Sequence, residues 1–461
     1  MKEKREHWSS VLGFVLAAAG SAIGLGTLWK FPYVMGQNGG GLFVLVYVLC
    51  TLFVGVPIFV GELLLGRKAQ RGAVGIFMTL APGMPFWKVI GWLGVLSSFF
   101  IMAFYSVIAG WGMNYALMCL NQFYEGRSAE EIRSTFDLLR SSGDITLFWH
   151  ALFTGLSMAV VYRGVQQGIE YWSRWMTTTL LVLMLGLSCY AMTLDGVGEA
   201  VRFVFHPNFE TFRPSSVLDA LGLSLFTLSL GQGIMLTYGS YMGRNEDIPQ
   251  TAGVIATMIL IVSLFAAMLI FPIIFTFGLS PEQGVGLVFQ TLPLLFERLK
   301  GSLVISTLFF VLFVFTALTS AMAFLEVIAA NLIDLFDWSR KKAVLSGGIA
   351  CFIMGIPAAL AGTGLLFANW QAIYGKNFFD TLNDLVSVWL LPLGGLLLSL
   401  YIGWFSNLKA LKGEFTEGTR VAWLFSPWLF FIRWITPIMI LLMLLQKGGF
   451  INFNESFALL H

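Results

Sequence analysis

Three glycines within seven residues, Gly20, Gly24 and Gly26 in the stretch AAAGSAIGLGTLWKFP from Ala17 to Pro32, are the first residues whose spacing bears on chemistry. Each glycine costs a helix about 1 kcal/mol relative to alanine, so this otherwise apolar stretch is expected to break. A second interruption, TLSLGQGIMLTY from Thr227 to Tyr238, contains Gly231 and Gly233. Lipid cannot satisfy the amides and carbonyls that a break frees, so a break at membrane depth is tolerated only where protein, water or a ligand meets them. Amides at a half-helix start attract an anion, while freed carbonyls and nearby hydroxyls attract a cation. A zwitterion with adjacent carboxylate and ammonium groups answers both. Position 24 is glycine, which leaves no protein carboxylate beside the break, so the substrate is expected to bring its own. Hydroxyls come from VFTALTSAMAFLE, where Thr316, Thr319 and Ser320 have i, i+3, i+4 spacing and share one helical face. Oxygen donors of this kind suit a hard monovalent cation. Ser and Thr in apolar helices also bond back to their own backbone, so the triplet gains meaning from its combination with the break. No enzymatic constellation competes with this reading. The four histidines are scattered, and Cys50, Cys119, Cys189 and Cys351 have no ligand-type spacing.

The elements that must hold these residues are membrane helices. The chain has 461 residues, of which 57% are hydrophobic and 11% charged. Soluble domains carry roughly 25% charged residues, so an all-α integral membrane protein is the class that fits. About 20 apolar residues span a bilayer, and on that criterion eleven transmembrane helices are expected. They run roughly over 10–36, 41–65, 88–120, 146–162, 171–193, 216–240, 250–277, 302–335, 342–362, 380–403 and 424–446. The first segment has no cleavage site after it and is expected to be retained. Most Lys and Arg, among them Arg5, Arg67, Lys68, Arg71, Arg340, Lys341 and Lys342, fall on one side of the membrane together with the N-terminus. The positive-inside rule then puts the N-terminus in the cytoplasm and, with an odd helix number, the C-terminus outside the cell membrane.

The two glycine-interrupted segments are the first and the sixth, corresponding members of two five-helix units. Interruptions at matching positions point to a secondary transporter built from inverted repeats with its site at the midplane. The same glycines would also serve close helix packing. The expected architecture is a single transporter domain over 1–461, with repeat one over about 10–193, repeat two over about 216–403, unwound helices 1 and 6, and an extra helix 11. The net charge is +2, and no nucleic-acid partner is expected.

The motifs then resemble a family. REHW at Arg5 to Trp8, GSAIGLGTLWKFPY, NGGG at Asn38 to Gly41, GELLLGR at Gly61 to Arg67, TLSLGQG and SRKKAVL at Ser339 to Leu345 resemble the neurotransmitter:sodium symporter family. The similarity is greatest to its bacterial eleven-helix amino-acid transporters. It implies alternating access, with substrate held between helices 1, 3, 6 and 8. The substrate's carboxylate and amine would meet Ala22, Leu25, Gly26, Tyr105, Phe226, Thr227 and Ser229. Its side chain would lie among Ser21, Ile101, Gln232, Ser320 and Phe324. The resemblance also implies a sodium site made by Gly20, Ile23, Thr316, Thr319 and Ser320. A second sodium site, at Ala22, Thr27 and Thr227, matches less well. Thr27 stands where most members have Asn, and Ile259 where an amide or carboxylate is usual, a loss that weakens coordination. No chloride is expected, because Leu223 replaces the usual Gln, although Tyr47 and Ser263 are retained. Arg5 and Asp334 match a cytoplasmic ion pair, with Trp8 and Tyr241 packed around it. On the outer side Lys30 replaces the usual Arg and is expected to pair with Asp384, or with Asn383 in another register. Lysine is a point charge where arginine is a bidentate fork. Glu62 is expected to receive hydrogen bonds from the unwound part of helix 6. Glu326 is read either as bonded to helix 1 backbone or as a protonation site. Thr178 stands where several members have a helix 5 proline, so that helix is expected to hold together.

The function expected on this basis is sodium symport of a neutral, hydrophobic or aromatic α-amino acid. The alternatives are a carrier of the same fold with a single sodium, proton coupling or no coupling ion, and, more remotely, an amino-acid-sensing receptor. A receptor would be expected to carry a signalling domain or long tail, and none is read in this sequence.

Overall fold

The computed structural model describes residues 5–209, 212–278, 286–367 and 369–458. Among the described residues it is helical throughout, with one isolated antiparallel bridge between Gly40 and Pro207. The first helices, α1 (Val11–Ala22) and α2 (Gly26–Gln37), are bent by 52° at the break between them. They are followed by α3 (Gly41–Ala69), α4 (Ala73–Leu80), α5 (Pro85–Leu120), α6 (Ala129–Ser141), α7 (Gly143–Val161), α8 (165–191) and α9 (Val197–Phe205). The second half contains α10 (Pro214–Thr227), α11 (Ile234–Gly239), α12 (Ile248–Thr276), α13 (Leu287–Glu297), α14 (Ser302–Phe336) and α15 (Arg340–Ala359). It ends with α16 (Trp370–Tyr374), α17 (Phe378–Phe405), α18 (Leu408–Thr416), α19 (Ala422–Lys447) and α20 (Phe453–Ala458).

Among the described residues, eight helices, α3, α5, α7, α12, α14, α15, α17 and α19, are long and apolar enough to cross a membrane, and the bent α1–α2 pair makes a ninth. The two other expected segments, 171–193 and 216–240, are also helical, as α8 and as α10 with α11. The sixth segment divides because its chain reverses handedness locally. Ser229, Gly231 and Gly233 have φ of 56°, 71° and 75°, which no helix accommodates. After its first, wider turn over Val165–Glu170, α8 is a regular helix from Tyr171 to Ala191 through the exposed Thr178.

Capping follows local sequence. Ser10 accepts from the Gly13 amide at 3.0 Å to start α1, and Asp247 accepts from Gln250 at 3.0 Å to start α12. At the core α14 packs along α5 and α8, while α1 lies against α8, α12 and α14. His150 ties three helices together. On α7, it meets Ser106 of α5 at 2.9 Å through Nδ1 and the Phe352 carbonyl of α15 at 3.0 Å through Nε2, with its ring stacked on Phe352.

Candidate functional site

The break between α1 and α2 is where the candidate residues converge. Helical bonding ends with the Ile23 amide on the Ala19 carbonyl at 2.7 Å, after which the Gly24 amide turns back to the Ala22 carbonyl at 2.8 Å. The Leu25 amide then leaves the helix and donates to the Tyr105 hydroxyl of α5 at 3.2 Å. Gly24 is required at this point by close approach. A Cβ built on it would lie 2.7 Å from Ser320 Oγ and 3.2 Å from the Tyr105 hydroxyl. On the other side of the chain the Ser21 carbonyl accepts from Ser320 Oγ at 2.9 Å and from Ser229 Oγ at 3.4 Å. The break thus joins α1 to α5, α14 and the α10–α11 interruption through hydroxyls and backbone alone.

Of the expected substrate residues, the structure gathers Ser21, Leu25, Tyr105, Ser229 and Ser320 into this hydrogen-bonded cluster. The Phe324 ring packs edge-on to Tyr105 at 5.5 Å, and Gly26 lies under the Phe226 ring, 2.5 Å from where its Cβ would be. Ile101 is buried one turn before Tyr105 on α5. The Gln232 backbone carbonyl is fixed by Ser98 Oγ at 2.6 Å, while its side-chain Oε1 is buried with no partner. A buried acceptor without a partner is costly, which makes this oxygen a place for a ligand's donor. Above Tyr105 and Phe226 lies a cavity of about 230 Å³, lined by Leu25, Gly26, Lys30, Ile108, Phe379 and Asn383 among others.

For the expected sodium ligands, Thr319 Oγ1 and Ser320 Oγ both reach the Thr316 carbonyl, at 3.0 and 3.3 Å, and the Gly20 position lies against Thr319 Cβ. Ala22, Thr27 and Thr227 sit differently. Thr27 Oγ1 is bonded to the Ala22 carbonyl at 3.3 Å, and Thr227 Oγ1 bonds to the Leu223 carbonyl at 3.0 Å and the Tyr47 hydroxyl at 2.8 Å. Tyr47 is also 3.4 Å from Ser263 Oγ, and Leu223 and Ile259 are buried alkyl chains beside these groups. Glu62 Oε1 accepts from the Gly231 amide at 2.8 Å inside the second interruption.

A cluster of charges gathers where the N-terminal segment meets α14. Arg5 pairs with Asp334 at 2.8 Å, donates to Ser240 Oγ at 2.5 Å and lies 4.8 Å from the Tyr241 ring centre, while Trp8 packs edge-on to Tyr241 at 6.1 Å. Asp334 also accepts from the Gly72 amide. The geometry corrects two expectations. Glu326 does not bond to helix 1 backbone: its two oxygens take Arg340 at 2.5 Å and the Tyr241 hydroxyl at 2.6 Å. Lys30 and Asp384 are not brought together, because the Asp384 carboxylate bonds to Lys376, eight residues before it. Lys30 instead lies 4.2 Å from the Phe226 ring centre and reaches Ser387 Oγ at 3.5 Å. The lysine ammonium thus meets the ring face in a cation–π contact.

Sequence reasoning missed several partners. Arg340 lies within the quoted SRKKAVL run, yet nothing in the spacing shows that it folds back onto Glu326 and Glu6, the latter at 3.4 Å. Glu170 accepts from the Ser9 amide at 2.8 Å and the Ser9 hydroxyl at 2.5 Å, holding the start of α1 to α8. Thr177 Oγ1 bonds to the Leu16 carbonyl at 3.1 Å and fills the space that any side chain at Gly20 would need. Apart from Arg340 and Glu326, which stand at the end of one helix and the start of the next, these pairs lie about 160 residues or more apart in the chain, a separation at which no periodicity signals contact.

Comparison with known proteins is consistent with this arrangement. The profile of the Sodium:neurotransmitter symporter family matches residues 5–137 and 122–456. An uncharacterized sodium-dependent transporter of Bacillus subtilis, YhdH, is 39% identical over 453 residues, covering 98% of this chain and 100% of that protein. The sodium-dependent dopamine transporter of Caenorhabditis elegans is 27% identical over 81% of this chain and 71% of its own length. Among solved structures, the crystal structure of MhsT in complex with L-phenylalanine superposes with a TM-score of 0.89 at 39% identity, covering 96% of this chain and all of that one.

Proposed function

The chain belongs to the sodium:neurotransmitter symporter family, whose members are sodium-dependent secondary transporters rather than enzymes, and on that footing we propose that it imports a neutral, hydrophobic or aromatic α-amino acid by alternating access. The observation that carries this reading is the bond from the Leu25 amide to the Tyr105 hydroxyl across the break, with bare Gly24 between them. A substrate carboxylate entering there takes the Leu25 and Gly26 amides and turns the Tyr105 hydroxyl into its donor, a charge-assisted arrangement stronger than the neutral bond it replaces. The ammonium group is met by carbonyls of Ala22, Phe226 and Thr227 and by Ser229. Ile101, Phe226 and Phe324 supply apolar walls, and Gln232 Oε1 offers one acceptor to a polar tip such as an indole or phenol. That MhsT was crystallised with L-phenylalanine supports an aromatic substrate.

Sodium, as co-transported cargo, is assigned to Gly20, Ile23, Thr316, Thr319 and Ser320, whose neutral oxygens match a monovalent cation. A count of one sodium is favoured over two, because Thr27 spends its hydroxyl on Ala22 and Ile259 offers no oxygen from its side chain. Chloride finds no side-chain amide at Leu223, and the Tyr47, Thr227 and Ser263 hydroxyls there bond to one another. The topology that goes with this function is eleven spans in one domain over 1–461, two inverted repeats over about 10–193 and 216–403, and helix 11 over about 424–446. The N-terminus is then cytoplasmic and the C-terminus external. Arg5–Asp334 and Arg340–Glu326 form the inner closure in this scheme, and the Lys30–Phe226 contact the outer one. Uptake of each common amino acid into proteoliposomes, with sodium or choline outside, tests the reading. Accumulation of aromatic and branched-chain amino acids in sodium alone is the expected result. Equal uptake in choline removes sodium coupling, and uptake confined to charged amino acids removes the substrate assignment.

A further inference from the structure

Arg433 lies within α19, a helix apolar enough to span a membrane, and among the described residues no carboxylate pairs with it. Its Nε is buried without a hydrogen-bond partner. The guanidinium instead lies 4.3 Å from the Trp404 ring centre and 5.8 Å from that of Trp434, and the two indoles meet edge-on at 4.7 Å. Both tryptophans are about half exposed, 46% and 45%, so the cation lies against a touching pair of indoles on the outer surface of the bundle. The backbone is shaped for this approach. Widened π turns at Tyr401–Phe405 and Phe431–Ile435 face each other, and a Cβ on Gly403 would lie 3.0 Å from Arg433 Cα. Such turns inside otherwise regular helices recur at functional sites.

The level in the membrane follows from α17, whose last turn holds Trp404 and ends at Phe405. That end lies on the side of the N-terminal segment, since α18, which follows, is bound through Glu414 to Arg67 near the end of α3. Exposed tryptophans mark the interface between hydrocarbon and headgroups. An arginine at that depth is retained when it finds an anion or reaches headgroups, and among the described residues no carboxylate meets it.

We propose that Arg433, framed by Trp404 and Trp434, binds the phosphate of an anionic phospholipid from the leaflet on the N-terminal side, at the α17–α19 groove. The guanidinium supplies paired N–H donors to the phosphate oxygens, and the indoles flank the glycerol and upper acyl chain. The occupant is a lipid rather than free phosphate because the site opens between exposed indoles toward hydrocarbon.

Native mass spectrometry of the full chain, titrated separately with phosphatidylglycerol and phosphatidylcholine, tests this. The wild-type protein should hold one phosphatidylglycerol in preference to phosphatidylcholine. Arg433→Met should weaken that preference about fivefold, the share expected of one basic residue at a membrane surface, and Arg433→Lys should keep most of it. Inorganic phosphate at millimolar concentration should not displace the lipid. Equal preference in wild type and Arg433→Met overturns the proposal, as does displacement by inorganic phosphate. A wild-type dimer that dissociates in Arg433→Met with lipid affinity unchanged assigns the cation to a second copy and also overturns it. Should Arg433→Met fail to fold, Trp404→Leu is read in its place: a lowered phosphatidylglycerol preference with phosphatidylcholine binding unchanged is expected, and an unchanged preference overturns the proposal.

Discussion

Gly24→Ala places one methyl group where the candidate site has no room for it. The new Cβ would stand 2.7 Å from Ser320 Oγ and 3.2 Å from the Tyr105 hydroxyl. Ser320 yields by rotating, which breaks its bonds to the Ser21 carbonyl at 2.9 Å and the Thr316 carbonyl at 3.3 Å and takes its oxygen out of the proposed sodium set. Tyr105 yields by leaning away from the Leu25 amide. Each neutral bond contributes about 0.5–1.5 kcal/mol net, so losing two of them costs about 1–3 kcal/mol, roughly 5- to 150-fold in affinity. The same bonds hold the unliganded break, and Gly24 lies in a bend rather than in a helix, so the variant should also melt lower, with substrate and sodium binding falling further than the lowered stability alone accounts for. Equilibrium binding of labelled amino acid across a sodium series, with a melting curve on the same sample, reads both. Wild-type affinity and sodium dependence in Gly24→Ala would refute the placement of both ligands at this break. A loss of binding that merely tracks a loss of stability would refute the reasoning as well.

Tyr105→Phe should lower substrate affinity about tenfold or more, since it removes a hydroxyl aimed at a carboxylate, with the melting temperature little changed; the same binding assay measures it. Thr319→Ala with Ser320→Ala should abolish sodium-dependent binding, and binding that still rises with sodium would move the cation elsewhere. Arg340→Met strands the buried Glu326 carboxylate and should destabilise the chain by about 3–5 kcal/mol, whereas Arg340→Met with Glu326→Gln should recover much of it in denaturation curves. Glu246 lies in the loop between α11 and α12, where Oε1 accepts from the Gly243 amide at 2.9 Å and Oε2 is buried without a partner. Burial raises its carboxyl above the ordinary 4.5. The native chain then keeps a proton that the unfolded chain releases, so stability falls as pH rises through the window just above 4.5. Glu246→Gln removes that slope, and its melting temperature relative to wild type should climb across the same window.

The broken helices were legible from glycine spacing because a helix tolerates glycine poorly and lipid tolerates free amides worse. The hydroxyl triplet of α14 was legible from its i, i+3, i+4 spacing, and both features were placed against each other by the family resemblance rather than by pattern. Partner choice among charges was not legible. Lys30 was matched to Asp384 by analogy with an arginine, yet Lys376 is nearer to that carboxylate in the chain and takes it first. Glu326 was matched to helix 1 backbone or to a protonation role because its cation, Arg340, starts the next helix, and only the sharp reversal at Asp337, with φ of 49°, folds one back over the other. The segments at 171–193 and 216–240 were found by apolar content, but the division of the second into two short helices needed the positive φ of Ser229, Gly231 and Gly233.

The hydroxyl joint at the break has a consequence for leakage. Where α1 meets α5, α14 and the second interruption, Ser21, Leu25, Tyr105, Ser229 and Ser320 are held by neutral hydrogen bonds alone. Such bonds exchange partners with water at little cost, so this seam has no strong preference of its own for staying shut. On the proposed assignment, the charges that lock it are brought by the cargo: a cation between α1 and α14, and a carboxylate between α1 and α5. Either one alone clamps one edge and leaves the other slack. A seam that needs both to tighten lets neither through without its companion, and tight stoichiometry then arises from mortar supplied by the passengers rather than from any bolt in the protein.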